Sequence, residues 1–415
     1  MRPATSSDSE FLKEVRNSRL SSYRSTPQDI NAHYSDEGQI QADYHKRFAF
    51  ELIQNADDAM ADVEGQKRVR FELDGNTLLV ANTGRPIDED DIEALCTMSY
   101  TTKDASEDDE EAPIGHKGRG FSSVLDLTDR PQVYSTGISF EFDRGRASDP
   151  IYEVVDSAED WTRADINGIP LMRLPFPPKQ TPELVEELLD DGFNTVFRFK
   201  LKSDDLREDA LSAISDLDKH TAVFLQNLEE LELSLDGSTE EWGIQREHKE
   251  VDDLQSNLEF VRVEHAEDES KTDRSTFALF SRQRIPISEN IGGIDTNTWG
   301  EVDTTRVGLA LRVTRNSGEI HLEPLEERPS LHVFLPTEER CPIPALVNGA
   351  FYTKISRTSV DVTADENNYN AFLLEQVAEL LAGDVLSYSE RTATSPAQIL
   401  GWLDFTHLTE NAREA

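Results

Sequence analysis

Cysteine is nearly missing from this chain of 415 residues, which has only Cys96 and Cys341. Two thiols so distant in sequence supply neither a disulfide framework nor a zinc site, and they point to a reduced, cytoplasmic setting. Long apolar runs are also missing. None approaches the ~18 residues needed to span a bilayer, and the N-terminus, with Asp8 and Glu10, lacks a signal peptide's apolar core. Positive charge is the third deficit: 41 Lys and Arg stand against 82 Asp and Glu, a net charge of −41. The acids are spread through every segment and lysine is scarcer than arginine. That pattern reads as a protein built for high salt, where counter-ions screen self-repulsion; the plainer alternative is an acidic soluble protein. It excludes broad binding to a phosphate backbone, which needs clustered Lys and Arg, but leaves room for a local basic patch.

What is present is more specific. The segment Glu51-Leu52-Ile53-Gln54-Asn55-Ala56-Asp57-Asp58-Ala59 lies in a helical pattern from about 41 to 61. Glu51, Asn55 and Asp58, at i, i+4 and i+7, share one helix face, with Leu52, Ala56 and Ala59 packed beside it. A carboxylate one turn from an amide suits metal-assisted phosphoryl transfer: Glu51 to hold and deprotonate water, Asn55 as a hard oxygen ligand for magnesium. In Ile114-Gly115-His116-Lys117-Gly118-Arg119-Gly120-Phe121-Ser122-Ser123-Val124, three glycines let backbone close around a ligand, and a helix start follows that attracts phosphate. It has no Gly-Lys-Ser/Thr ending and follows no strand, so it is neither a Walker loop nor a dinucleotide fingerprint. Between the two, Leu78 to Ala81 is an apolar strand running into Asn82-Thr83-Gly84-Arg85-Pro86-Ile87, where Asn82 is placed to read an adenine edge. A later strand begins at Thr195.

This order resembles the Bergerat-fold (GHKL) ATPases, the superfamily of gyrase, ninety-kilodalton heat-shock chaperones, histidine kinases and MutL. With Ser99-Tyr100-Thr101-Thr102-Lys103 and Gly-His-Lys-Gly-Arg-Gly-Phe-Ser-Ser-Val it looks most like the sacsin-type branch. The resemblance implies ATP and magnesium as ligands, with Glu51 as the catalytic base and Asn55 as the magnesium ligand. The ATP contacts it implies are Asn55, Asp58, Asn82, Gly84, Thr102, Lys103, Gly115, Lys117, Gly118, Arg119, Gly120, Phe121 and Thr195, with 99–112 as a lid. Two positions depart from the family: Asn82 stands where most members have aspartate, and Pro86 where many have glycine. An asparagine oxygen still accepts from the adenine amino group, without the charge that strengthens such a bond. Downstream, Ile355-Ser356-Arg357 is similar to the Leu-Ser-Arg context whose arginine reaches the γ-phosphate, which makes Arg357 the second catalytic candidate and Lys354 its nearest competitor. His45, His116 and His220 have no metal-ligand spacing.

The expected fold is α+β: a Bergerat-type sandwich with helices on one face of a mostly antiparallel sheet, then a second, transducer-like α+β domain. The boundaries are an N-terminal extension over 1–27, the ATPase domain over 28–235, the second domain over 240–389 beyond a turn at Asp236-Gly237, and a helical tail over 390–415. Strands are expected at 69–73, 77–81, 132–135, 138–142, 152–155, 169–174, 195–200 and 230–235, then at 242–246, 258–264, 275–281, 307–313 and 331–335. Helices are expected at 182–189, 210–225 and 371–382. The activity implied is slow ATP hydrolysis driving a conformational switch, in chaperone-like handling of proteins or in a nucleic-acid or defence complex. A nucleotide sensor without turnover is the alternative. The partners implied are a protein client, a nucleotide-dependent second copy, no membrane, and nucleic acid only through partners or a local patch.

Overall fold

A computed structural model describes residues 6–43, 47–97, 121, 123–267, 272–287, 304–353, 360 and 368–403. Their backbone is mixed α+β. Fifteen strands form one sheet in the order β14-β13-β15-β11-β10-β9-β8-β7-β1-β2-β6-β3-β4-β5, with β12 paired to β11. The first group comprises β1 (Arg68–Asp74), β2 (Thr77–Asn82), β3 (Gln132–Ser135), β4 (Phe140–Phe142), β5 (Pro175–Phe176), β6 (Thr195–Lys200) and β7 (Glu230–Leu235). The second comprises β8 (Ser238–Lys249), β9 (Asn257–Glu267), β10 (Asp273–Pro286), β11 (Thr304–Asn316), β12 (Glu319–Glu323), β13 (Ser330–Val333), β14 (Leu335–Arg340) and β15 (Leu346–Gly349). Pairing is antiparallel except at β1·β7 and β13·β15.

Alternation sets which face of each strand is buried. On β1, Val69, Phe71 and Leu73 point into the core while Arg70 pairs with Glu72 and Glu232 on the other side. Three helices matter for the site: α1 (Ser6–Ser25), α2 (Asp29–Asp43) and α3 (Phe48–Ala59). Leu52, Ile53 and Ala56 of α3 share a core with Val69, Phe71, Leu78, Val80, Val133 and Phe199, which places α3 on that face of the sheet. The opposite face is not open as expected. Leu79, Ala81, Tyr134 and Val196 pack against Val185, Leu188 and Leu189 of the helix Glu183–Asp190. β2 is therefore buried on both faces, which is why Leu78 to Ala81 reads as an unbroken apolar run.

Several expected elements differ. The helix expected over 41–61 is two, α2 and α3, with 44–46 outside the described residues. The strand expected at 152–155 lies inside a helix, Arg144–Asp156, whose Ala147, Ile151, Val154 and Val155 recur at helical spacing and whose N-cap, Asp143, accepts from the Arg146 amide at 3.1 Å. Pro150 and a short apolar window disguise it. The segment 169–174 is not a strand either; the buried Glu37 carboxylate accepts from the amides of Leu171 and Met172 at 2.8 Å, replacing a ladder partner. The helix expected over 210–225 splits into Asp204–Ser215 and Lys219–Phe224, because Asp218 caps the second by accepting from His220 and Thr221 at 3.0 Å.

The chain crosses the expected boundary without a linker. Asp236 and Gly237, with φ of 54° and 84°, form a two-residue hairpin between β7 and β8, as type I′ geometry requires. The main core continues past it through Trp242, Ile244, Val261, Val263 and Phe277. A second core joins Phe280, Leu309 and Leu311 to Phe372, Leu373 and Val377 of the helix Asn368–Leu380. Both ends of the described chain are packed: α1 places Leu12 and Val15 in the main core, and Ile399 of the helix Pro396–Gly401 lies in the second. Among the described residues no helix is long and apolar enough to cross a membrane, and Cys96 and Cys341 are free and buried.

His332 on β13 packs against Phe224, ring centroids 5.0 Å apart, and its Nδ1 lies 3.0 Å from the Ser330 carbonyl. Full burial holds the imidazole neutral, with its pKa pushed down to about 4 from 6.5. The unfolded chain thus takes up a proton near pH 6.5 that the folded chain refuses until about pH 4. The stability this neutral ring carries is complete above pH 6.5 and declines as pH falls towards 4. Denaturant unfolding of wild type and His332→Leu between pH 7 and 4 should show the variant losing less stability across that window, by about 1 kcal/mol per pH unit.

Candidate functional site

The expected site residues that are described gather on one sheet face. A register row runs Val69–Asn82–Thr195–Ser135 across β1, β2, β6 and β3. By two-residue alternation Asn82, Thr195 and Ser135 lie on the same face as Val80, Phe199 and Val133, the face that α3 covers. Along α3, Glu51 is buried whereas Asn55 and Asp58 are exposed, so the stripe emerges from the core as it approaches the turn after β2.

That turn is pressed against the helix. The Arg85 amide donates to the Ala59 carbonyl at 2.8 Å, closing the C-terminus of α3. A Cβ on Gly84 would stand 2.6 Å from the Ala59 Cβ, so glycine is required for this approach. The Asn82 Oδ1, the atom expected to read adenine, accepts from the Gly84 amide at 3.0 Å. One acceptor position of that oxygen is thereby used in shaping the turn, and a carbonyl oxygen has two. Thr195 is buried, its Oγ1 3.3 Å from the Ser135 Oγ.

Sequence reasoning missed three residues of this arrangement. Ser135 is a hub: its Oγ accepts from the amides of Ile87 at 3.0 Å and Gly137 at 3.2 Å and donates to the Asn194 carbonyl at 3.1 Å. Asn194 Nδ2 donates to the carbonyls of Thr83 and Gly84 at 3.2 and 3.0 Å, tying the start of β6 to the turn. Neither residue carries a sequence signal. Asp57 does: it falls on the apolar stripe of α3 between Ile53 and Met60, where a carboxylate needs a buried partner. Its oxygens accept from the amides of Gln226, Asn227 and Leu228 at 2.9, 2.8 and 2.7 Å.

Thr102, Lys103, Gly115, Lys117, Gly118, Arg119, Gly120, His116, His45, Lys354 and Arg357 lie outside the described residues. Their flanks do not. Before the first gap, the helix Glu89–Thr97 buries Ile92 and Cys96; after it, Phe121, Val124 and Leu125 enter the core that holds α3. The Phe121 ring sits 5.5 Å from Phe197 and 6.3 Å from Phe199, so it anchors the end of the glycine-rich segment to the face carrying Thr195. Thr353 and Val360, flanking Arg357, pair as an antiparallel bridge. Arg47, at the N-cap of α3, donates to the Pro336 carbonyl at 3.3 Å, so β14 of the second strand group reaches the helix carrying Glu51. His220 has Nδ1 3.0 Å from an Asp218 carboxylate oxygen. Among the described residues no three of His, Cys, Asp and Glu gather to hold a metal ion.

The chain matches no protein-family model. Over 96 residues, 23% of its length, it is 35% identical to Protein NO VEIN of Arabidopsis thaliana, and the aligned stretch spans 3% of that protein. The similarity is local and sets no family for the chain.

The different burial of two adjacent acids is testable. Asp57→Asn should destabilise the fold by about 2–4 kcal/mol, because an amide cannot accept all three N–H groups as well and brings donors of its own. Asp58→Asn, on the exposed side, should stay within about 0.5 kcal/mol by denaturant unfolding.

Proposed function

We propose that the chain is an ATP-binding and slowly ATP-hydrolysing switch of the Bergerat type, with the first strand group as the ATPase domain and the second as a transducer-like domain. The observation that carries this reading is the convergence of Glu51, Asn55 and Asp58 with the Asn82–Gly84 turn and Thr195 on one sheet face, bordered by both flanks of 98–120. The donor set fits ATP and magnesium. Asn55 is exposed one turn from Glu51, and glycine at 84 lets the turn after β2 close against Ala59 of the same helix.

In this reading Asn82, with one acceptor position remaining, and Thr195 face the adenine edge, while Asn55 holds magnesium against the triphosphate. Magnesium supplies charge neutralisation and orientation of the phosphates. Glu51, buried one turn from Asn55, orients water and takes its proton. Thr102, Lys103, Gly115, Lys117, Gly118, Arg119 and Gly120 close over the phosphates, and Arg357 completes the charge from the second group. The Arg47–Pro336 contact supports such coupling, since it lets α3 report to β14. One observation favours a sensor without turnover: the adenine-side acceptor is a neutral amide already bonded to Gly84.

Steady-state hydrolysis with magnesium in molar KCl separates the two readings. Glu51→Ala should bind ATP with near-native affinity and lose turnover, Asn55→Ala should lose magnesium-dependent binding, and Arg357→Ala should hydrolyse about 10- to 1000-fold more slowly. Equal hydrolysis by Glu51→Ala and wild type removes Glu51 as the base. We also propose adaptation to high salt from the net charge of −41. The melting midpoint should then rise with KCl into the molar range as carboxylate repulsion is screened, and a flat or falling midpoint removes that reading.

A further inference from the structure

The sheet forks in its second strand group. β10 and β11 pair from Pro286↔Thr304 to Thr276↔Val313 and no further. Beyond that point Asp273 to Ser275 pair only with β9, while Thr314 to Asn316 pair with β12. The two hairpins splay around a cavity of about 310 Å³ lined by Arg262, Arg274, Ser275, Thr276, Arg312, Val313, Thr314 and Arg315. Four arginines thus line one opening, Arg262, Arg274 and Arg315 on the sheet face of Thr276 and Val313 and Arg312 on the other, in a chain whose acids outnumber its bases two to one.

Local partners leave much of this charge uncommitted. Arg262 donates to the neutral Gln245 side chain at 3.2 Å, and Arg274 meets Glu264 at 3.0 Å. Arg312 lies 3.8 Å from Glu326, which is 90% exposed, and such a pair is worth little in water. Arg315 makes no hydrogen bond or ion pair among the described residues, and the exposed Glu247 carboxylate lies within the field of both Arg262 and Arg315. Thr314 gives its hydroxyl to Glu323 at 2.7 Å. Clustering like charges costs energy unless an anion joins them.

We propose that this fork is a second anion site, separate from the ATP site, which takes a compact phosphate chain such as a di- or triphosphate group. Planar guanidinium groups match phosphate oxygens in paired geometry, and the hydroxyl of Thr276, on the face of Arg262, adds a neutral donor. The lining holds no aromatic ring to serve as a stacking platform for a base. The net charge of −41 opposes a long polyanion far more than a compact one, which rules against a nucleic-acid strand. Along the sheet, β9 stands four strand spacings from β2, about 19 Å, so one small ligand does not bridge both sites.

Calorimetric titration of the full chain with sodium tripolyphosphate, without magnesium and at the lowest KCl that keeps the protein folded, tests the site. Wild type should bind, and Arg262→Gln/Arg315→Gln should weaken binding by about tenfold or more. The charge-matched pair Arg163→Gln/Lys179→Gln, far from the fork, should bind as wild type does. Asn55→Ala should also bind as wild type, since it alters the ATP site alone. Circular dichroism checks folding, and Arg274→Gln/Arg312→Gln reads the same fork should the first pair unfold. The proposal is overturned if wild type does not bind, if the fork variants bind as wild type, if Asn55→Ala abolishes binding, or if single-stranded oligonucleotide binds more tightly than tripolyphosphate.

Discussion

Asp57 places a carboxylate inside the main core and satisfies it with three consecutive amides, those of Gln226, Asn227 and Leu228. Much else depends on this contact. It fixes α3 against the segment entering β7, and β7 is both the parallel partner of β1 and the hairpin partner of β8. The helix carrying Glu51 and Asn55 is thereby tied to the strand through which the sheet passes from its first group to its second. Backbone amides clamp a carboxylate more rigidly than a flexible side-chain cation does, because their positions are set by the chain itself. The Ala59–Gly84 contact then sets the distance from α3 to the turn after β2.

Arginine has two distinct uses here. Some are consumed by the fold: Arg246, largely buried, donates to the carbonyls of Ala222, Val223 and Leu225 and closes the helix Lys219–Phe224, while Arg130 and Arg146 converge on the fully buried Glu141. Burial lowers the Arg246 pKa from its ordinary value, with Glu259 and Asp57 acting in the other direction. These groups leave no charge for a ligand. The fork between β10 and β11 is different, since its arginines lie at the surface and the carboxylates near them, such as Glu247 and Glu326, are exposed ones. In a chain of this composition, free positive charge is scarce enough that its position carries information.

Much of the strand pattern was legible. The ranges 132–135, 195–200 and 230–235 match β3, β6 and β7, because each is a short, β-rich run bounded by turn residues. β8 to β11 were placed correctly but drawn too short, since Arg, Glu and Thr at solvent-facing positions continue them past their apolar centres. The expected 331–335 instead spans the turn at Phe334 between β13 and β14, and β12 and β15 were not expected. Apart from the helix mistaken for a strand at 152–155, failures fell where a side chain took over a backbone partner. Glu37 replaced a strand at 171–172, and Asp218 divided one expected helix into two. The Glu37 contact, 134 positions away, has no local pattern, whereas Asp218 is an N-cap whose signal is local.

By itself the sequence determined the α+β class, the shared helix face of Glu51, Asn55 and Asp58, and the turn at Asn82–Gly84, because helical and strand periods are local properties of the chain. Only the tertiary structure decided which amides satisfy Asp57, that Ser135 and Asn194 brace the turn, and that β10 and β11 part to expose four arginines. Those outcomes depend on partners up to 171 positions apart in the chain. Burial converts a polar side chain from a solvated group into one that must find a partner, and which partner it finds is settled when distant strands pack together.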